Sequence, residues 1–112
     1  MIVPSFFIVI EAAPEKLDLK QKLLRETEAL VGSNCIFATN TSSLSITEIA
    51  KASARPANVI GMHFFNPVHI MRLVEIVVGA GTSDETTATV RAIAERLKKE
   101  PIVVRDVPGF AS

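Results

Sequence analysis

The stretch VIGMHFFNPVHIMRLVEIVV, residues 59–78, decides how this chain is built. Its two ends, Val59 to Phe65 and Leu73 to Val78, are apolar runs rich in β-branched and aromatic residues, which suits strands. Asn66-Pro67 breaks the first run, because proline cannot donate to a strand ladder. A hairpin-like return between the two strands brings His63 and Glu75 together. A carboxylate inside Leu73 to Val78 is costly to bury unless it is paired. An imidazole at the end of the facing strand is either a half-buried structural histidine or, since it titrates near neutral pH, a general base oriented by a carboxylate, and Glu75 is either that carboxylate or an outward-facing strand residue.

Outward from that unit, short apolar runs alternate with amphipathic stretches. Upstream, Phe6 to Ile10 reads as a strand covered on both faces. A helix follows from Pro14, with Leu17, Leu24 and Val31 at sevens and Leu23 and Leu30 beside them, and Gly32 as its stop. Cys35 to Ala38 is a second strand, ending in Asn40-Thr41-Ser42-Ser43. Ser45 and Glu48 match a capping box for a short helix carrying Ile46, Ile49 and Ala50. Downstream, Gly79 and Gly81 make a turn. Thr82 and Glu85 match another capping box, with Val90, Ile93, Ala94 and Leu97 on one helix face. Pro101 ends that helix, and Ile102 to Val104 form a last strand. Strands alternating with helices predict an α/β fold with a mainly parallel sheet, whose ligands sit beyond the carboxyl ends of its strands. That rule points at Ser42 and His63.

The 112 residues are enough for one domain. Lys plus Arg is 12 and Asp plus Glu is 12, so no global charge attracts nucleic acid or anionic lipid. Trp and Tyr are absent, which speaks against a stacking platform for single strands. The apolar opening MIVPSFFIVI is far shorter than the ~20 residues that span a bilayer, and it is read as a buried strand rather than a secretory leader. Neither nucleic acid nor membrane is expected as a partner. A cytoplasmic location is the default. The single cysteine, Cys35, is expected to be an inert core residue.

Several motifs are missing. Gly79-Ala80-Gly81 lacks the third glycine of a dinucleotide fingerprint, and Asp84 and Glu85 after it would repel phosphate, so it reads as a simple turn. No cysteine–histidine metal spacing appears. Neither serine of Asn40-Thr41-Ser42-Ser43 has an adjacent base, so the group is either a plain turn or a set of donors for a ligand. His69 reads as a solvated loop residue.

The segments IEAAPEKLDLKQKL, ATNTSSLSITEIA, GMHFFNPVHIMRLVEIV, TSDET and VVRDVPGF resemble the NAD-binding domain of L-3-hydroxyacyl-CoA dehydrogenases, in order, from about Ile8 to Phe110. The resemblance implies an incomplete Rossmann-like, doubly wound sheet with flanking helices. It implies oxidation of a 3-hydroxyacyl-CoA to the 3-oxoacyl-CoA with NAD, in fatty acid β-oxidation. His63 is then the base, Glu75 its partner, and Ser42 the hydrogen-bond donor to the substrate oxygen. Asn40 lies near the nicotinamide, and Glu15 and Lys20 approach the cofactor region. The implied partners are an acyl-CoA substrate and, for the whole enzyme, a second copy in a homodimer.

In that family the glycine-rich βαβ unit precedes this region and a helical domain follows it. Residues 1–112 are therefore expected to be a partial NAD-binding domain that alone binds NAD weakly or not at all. The family's asparagine three residues after the phenylalanine of PGF would fall at position 113. Without the family's first strand, an apolar strand becomes an exposed edge. The rival readings are a non-catalytic remnant or association domain, and a related dehydrogenase for a hydroxy acid without coenzyme A.

Overall fold

The computed structural model describes residues 8–106. Phe6 and Phe7 of the first expected strand, and the PGF segment, lie outside the described residues. Five strands form one sheet in the order β1-β2-β3-β4-β5: β1 (Ile8–Glu11), β2 (Ile36–Thr39), β3 (Val59–Phe64), β4 (Leu73–Val78) and β5 (Glu100–Arg105). The β1–β2, β2–β3 and β4–β5 pairings are parallel, and β3–β4 is antiparallel. The fold is Rossmann-like, with α1 (Leu17–Leu30) and α2 (Ile46–Ala50) on one face and α3 (Asp84–Arg96) on the other.

Alternation along the strands builds two cores. Ile36, Ala38, Ile60, Met62, Val74 and Ile76 pack under Val90 and Ala94 of α3. Phe37 and Val59 face the other way, against Leu24 of α1 and Ile46 and Ile49 of α2. Gly61 lies on this second face directly beneath Ile46. A Cβ there would stand 2.7 Å from Ile46 Cδ1 and 2.8 Å from Val77 Cβ, closer than carbon atoms tolerate. Gly61→Ala should therefore destabilise the chain by about 1–3 kcal/mol through overpacking. Equilibrium urea unfolding checks this, and a variant as stable as the parent would refute it.

The structure corrects several local expectations. The α3 cap is Ser83, whose hydroxyl accepts from Thr86 N–H at 3.0 Å. Thr82 instead donates to the Val59 carbonyl at 2.7 Å and accepts from Gly79 N–H at 2.9 Å, locking the turn. Lys98, at φ 65°, is the left-handed residue just beyond the helix, so Pro101 is free to join β5. It lies opposite Val74 on an edge strand, where a missing N–H is tolerated. Helix α1 begins at Leu17 rather than at Pro14, and Leu30 at its end is 86% exposed instead of joining the apolar face. Ile10, expected to be covered, is 45% exposed on edge strand β1. Ser45 does cap α2, accepting from Glu48 N–H at 3.2 Å.

Candidate active site

Strands β1, β2 and β3 all end at one edge of the sheet, at Glu11, Thr39 and Phe64. Two chain segments leave that edge side by side, Ala12 to Lys16 and Asn40 to Ser45. They bound a cleft of about 240 Å³ lined by Ala12, Ala13, Glu15, Asn40, Ser42, His63, Phe64 and Asn66. A second cleft, of about 370 Å³, opens on the far side of Ser42 toward Glu75 and Asp106. Ser42 stands between the two.

His63 and Glu75 are direct partners in the antiparallel β3–β4 register. Both lie on the face that carries α2, since Gly61 and Val77 do. The imidazole Nδ1 is 3.6 Å from Glu75 Oε1, within ion-pair reach but beyond a hydrogen bond. That Nδ1 is buried and has no other partner among the described residues, so the carboxylate is the group able to satisfy it. Histidine–carboxylate contacts in unliganded clefts are commonly long and tighten when a ligand binds. The Phe65 ring, with its centroid 4.6 Å away and tilted by 47°, braces the imidazole.

Glu15 and Lys20 take roles set by burial. Lys20 sits on the inward stripe of α1 with Leu17 and Leu24, and its side chain is 0% exposed. Its ammonium donates to Glu11 Oε2 at 2.7 Å, to the Ala13 carbonyl at 3.0 Å and to the Asn40 carbonyl at 3.2 Å. Its three protons are thus spent inside the protein. Glu11 in turn accepts from Thr39 Oγ1 at 2.5 Å and from Ala13 N–H at 2.6 Å. Sequence reasoning missed Glu11 and Thr39. The signal was present, because Glu11 directly follows an apolar strand and a lysine holds an apolar helix position.

Glu15 Oε2 gathers four donors from the serine turn: Ser42 N–H at 2.9 Å, Ser42 Oγ at 3.3 Å, and Ser43 N–H and Oγ, both at 3.1 Å. Burial pushes this carboxyl upward, but the Thr41 hydroxyl and the Ser42 and Ser43 donors outweigh it and hold the pKa down at about 2. The side-chain amide of Asn40 makes no hydrogen bond among the described residues and lines the smaller cleft, where it is available to a ligand. His69 is exposed in the β3–β4 loop. That loop is fastened from outside, as Lys99 donates to the Val68 carbonyl and, at 2.8 Å, to that of Met71. Cys35 is buried, and burial raises its thiol pKa. No cluster of metal-ligating side chains occurs among the described residues.

The family model of the 3-hydroxyacyl-CoA dehydrogenase, NAD binding domain, matches residues 2–107. The chain belongs to this family. It is 54% identical over 103 residues to the fatty acid oxidation complex subunit alpha of Acinetobacter baylyi, covering 92% of this chain and 14% of that one. Among solved structures, (S)-3-hydroxybutyryl-CoA dehydrogenase from Ralstonia eutropha matches with a TM-score of 0.87 and 52% identity, over 94% of this chain and 37% of that chain. A 5-formyl-3-hydroxy-2-methylpyridine 4-carboxylic acid 5-dehydrogenase, described as an NAD-dependent dismutase, matches with a TM-score of 0.86 and 35% identity, over 93% of this chain and 34% of that one. The chain therefore spans a minor part of the relatives it matches. What the NAD-binding family brings fits the cleft on one side. A side-chain amide, a histidine and a serine turn meet where parallel strands end, the place at which such sheets bind ligands. The Gly-x-Gly-x-x-Gly cradle for the pyrophosphate is not among the residues of this sequence.

Proposed function

We propose that this chain supplies the catalytic half of the cofactor domain in an NAD-dependent dehydrogenase acting on 3-hydroxyacyl-CoA. The observation that supports it is the meeting of the His63–Glu75 pair with Ser42 and Asn40 around the sheet's carboxyl edge. His63 takes the proton of the substrate's 3-hydroxyl, and Glu75 keeps the ring oriented and steadies its positive charge. Ser42 hydrogen-bonds the same oxygen. Asn40 orients the nicotinamide end of the cofactor. Lys20, buried, acts by positioning the Asn40 and Ala13 carbonyls, while Glu15 acts on the serine turn. NAD, when bound, accepts the hydride from carbon 3. Oriented proton and hydride acceptors lower the barrier together by holding one carbon centre between them.

The acyl-CoA substrate, a homodimeric whole enzyme and a cytoplasmic location belong to this same reading. No described helix is long and apolar enough to cross a membrane. The 35% identical relative whose name carries no coenzyme A favours one second reading, a dehydrogenase for a free hydroxy acid. The native gene product carrying this chain, purified from its source, tests both. It should reduce NAD with (S)-3-hydroxybutyryl-CoA and not with free 3-hydroxybutyrate. Turnover of the free acid in preference to the thioester supports the second reading, and turnover of neither overturns both.

A further inference from the structure

The turn that carries Ser42 is held on two sides. On the side of the smaller cleft, Glu15 takes donors from Ser42 and Ser43. On the other side stands Asp106, the residue after β5, which lines the larger cleft with Ser42 and Glu75. Its Oδ2 accepts from Ser45 Oγ and from Thr47 N–H, both at 2.8 Å, across 61 and 59 residues of chain. Ser45 Oγ already accepts from Glu48 N–H as the cap of α2, and its single proton goes to Asp106. Thr47 N–H lies in the first turn of α2, where backbone donors have no partner within the helix.

Asp106 is itself fixed to β4. Its N–H donates to the Val78 carbonyl at 2.8 Å, one step beyond the Val78–Arg105 pair. The same strand carries Glu75, which faces His63 across the β3–β4 register. Thr47 adds a second tie to the exit of β4, since its Oγ1 accepts from Ala80 N–H at 3.0 Å. The turn between Thr41 and Ser45 is stiff, because Thr41 Oγ1 accepts from Leu44 N–H at 3.0 Å and from Ser43 N–H at 3.4 Å. A shift at Ser45 is therefore passed back to Ser42. The β2–β3 ladder ends at Thr39 and Gly61, short of both Ser42 and His63, so it does not fix their separation. Groups that act on one atom must be held to within about 0.5 Å.

We propose that Asp106 is a positioning residue: it sets the serine turn against the strand that carries Glu75, so that Ser42 and His63 reach one substrate oxygen. This rests on the dehydrogenase reading above.

Oxidation of (S)-3-hydroxybutyryl-CoA by the native gene product tests the inference, with kcat taken per folded molecule. A misplacement of about 1 Å can cost about a hundredfold in rate. Glu15 still holds the turn in Asp106→Ala, so its kcat should fall by less, about tenfold. Asp106→Asn keeps an acceptor oxygen for both donors and should stay within about threefold of the parent. Asp106→Ala added to Ser42→Ala should cost nothing further in kcat, because the residue then has no hydroxyl to position. A role in stability alone would lower the urea midpoint of Asp106→Ala and leave kcat unchanged. That result overturns the inference, as do losses that add in the double variant. If Asp106→Ala does not fold, Ser45→Gly carries the test. Glycine is a tolerated cap residue, and it removes one of the two bonds to Asp106. Its kcat should fall, again with no added loss beside Ser42→Ala, and an unchanged kcat there overturns the inference. A parent protein that turns over no 3-hydroxyacyl-CoA removes the dehydrogenase reading and this inference with it. An active parent beside an equally active Asp106→Ala variant removes this inference alone.

Discussion

Lys20→Met should destabilise the chain by about 3–5 kcal/mol, the usual cost of leaving one member of a buried ion pair unpartnered. Methionine matches the length of the lysine stem, so packing beside Leu17 and Leu24 is largely kept. The loss is electrostatic. Glu11, with its side chain 5% exposed, would be left in the interior with only Thr39 Oγ1 and Ala13 N–H to satisfy it. Against a total stability of roughly 5–15 kcal/mol for an ordinary domain, this is a large share. Adding Glu11→Gln to Lys20→Met removes the orphaned charge and should recover part of the loss, although Thr39 and Ala13 then share a weaker acceptor. Guanidinium unfolding of the three chains measures this, with unchanged slopes showing that the transition stays two-state. A Lys20→Met chain within about 1 kcal/mol of the parent would show that the pair is dispensable. The effect reaches the cleft as well. Lys20 also holds the Ala13 and Asn40 carbonyls, so the amide resonances of residues 12–14 and 40–42 should move in the variant.

That network shows what the sequence reveals and what it hides. Alternation and capping signals are local, so β2, β3, β4 and α2 fall within a residue of where the pattern puts them. His63 and Glu75 were also legible, because an antiparallel return of known length fixes its own register. Contacts across 27 or 28 residues carry no such signal. Nothing local ties Glu15 to Ser42 and Ser43, or Glu11 to Thr39. They arise only when β1 and β2 lie parallel and their exit loops meet. Local rules also fail where two residues compete for one job. Thr82 and Ser83 are both good caps, and Thr82 is drawn off by the Val59 carbonyl. Pro101 reads as a helix stop, yet Lys98 has already ended the helix, and the proline meets no conflict on an edge strand.

His63→Gln in the native gene product should lower kcat by about two to four powers of ten, the range of a lost general base. Glutamine fills similar space and can still hydrogen-bond, but it takes no proton at neutral pH. The loss should therefore fall on kcat and on kcat/KM alike, with substrate affinity little changed. Glu75→Gln is the informative companion. The side chain lies on the α2 face only because β4 pairs with β3 in this register. A slip of one residue would turn Glu75 into the α3 core and turn Val74 and Ile76 out of it. Its carboxylate is 38% exposed, and in the proposed reaction it acts through His63, as a positioning group. Its loss should lower kcat less than the loss of His63. The double variant should be no worse than His63→Gln alone, because an orienting carboxylate has nothing to orient once the imidazole is gone. Additive losses in the double variant would mean that Glu75 acts on the substrate independently. Unchanged turnover in His63→Gln would remove the base from this site and, with it, the assignment of the cleft as an active centre.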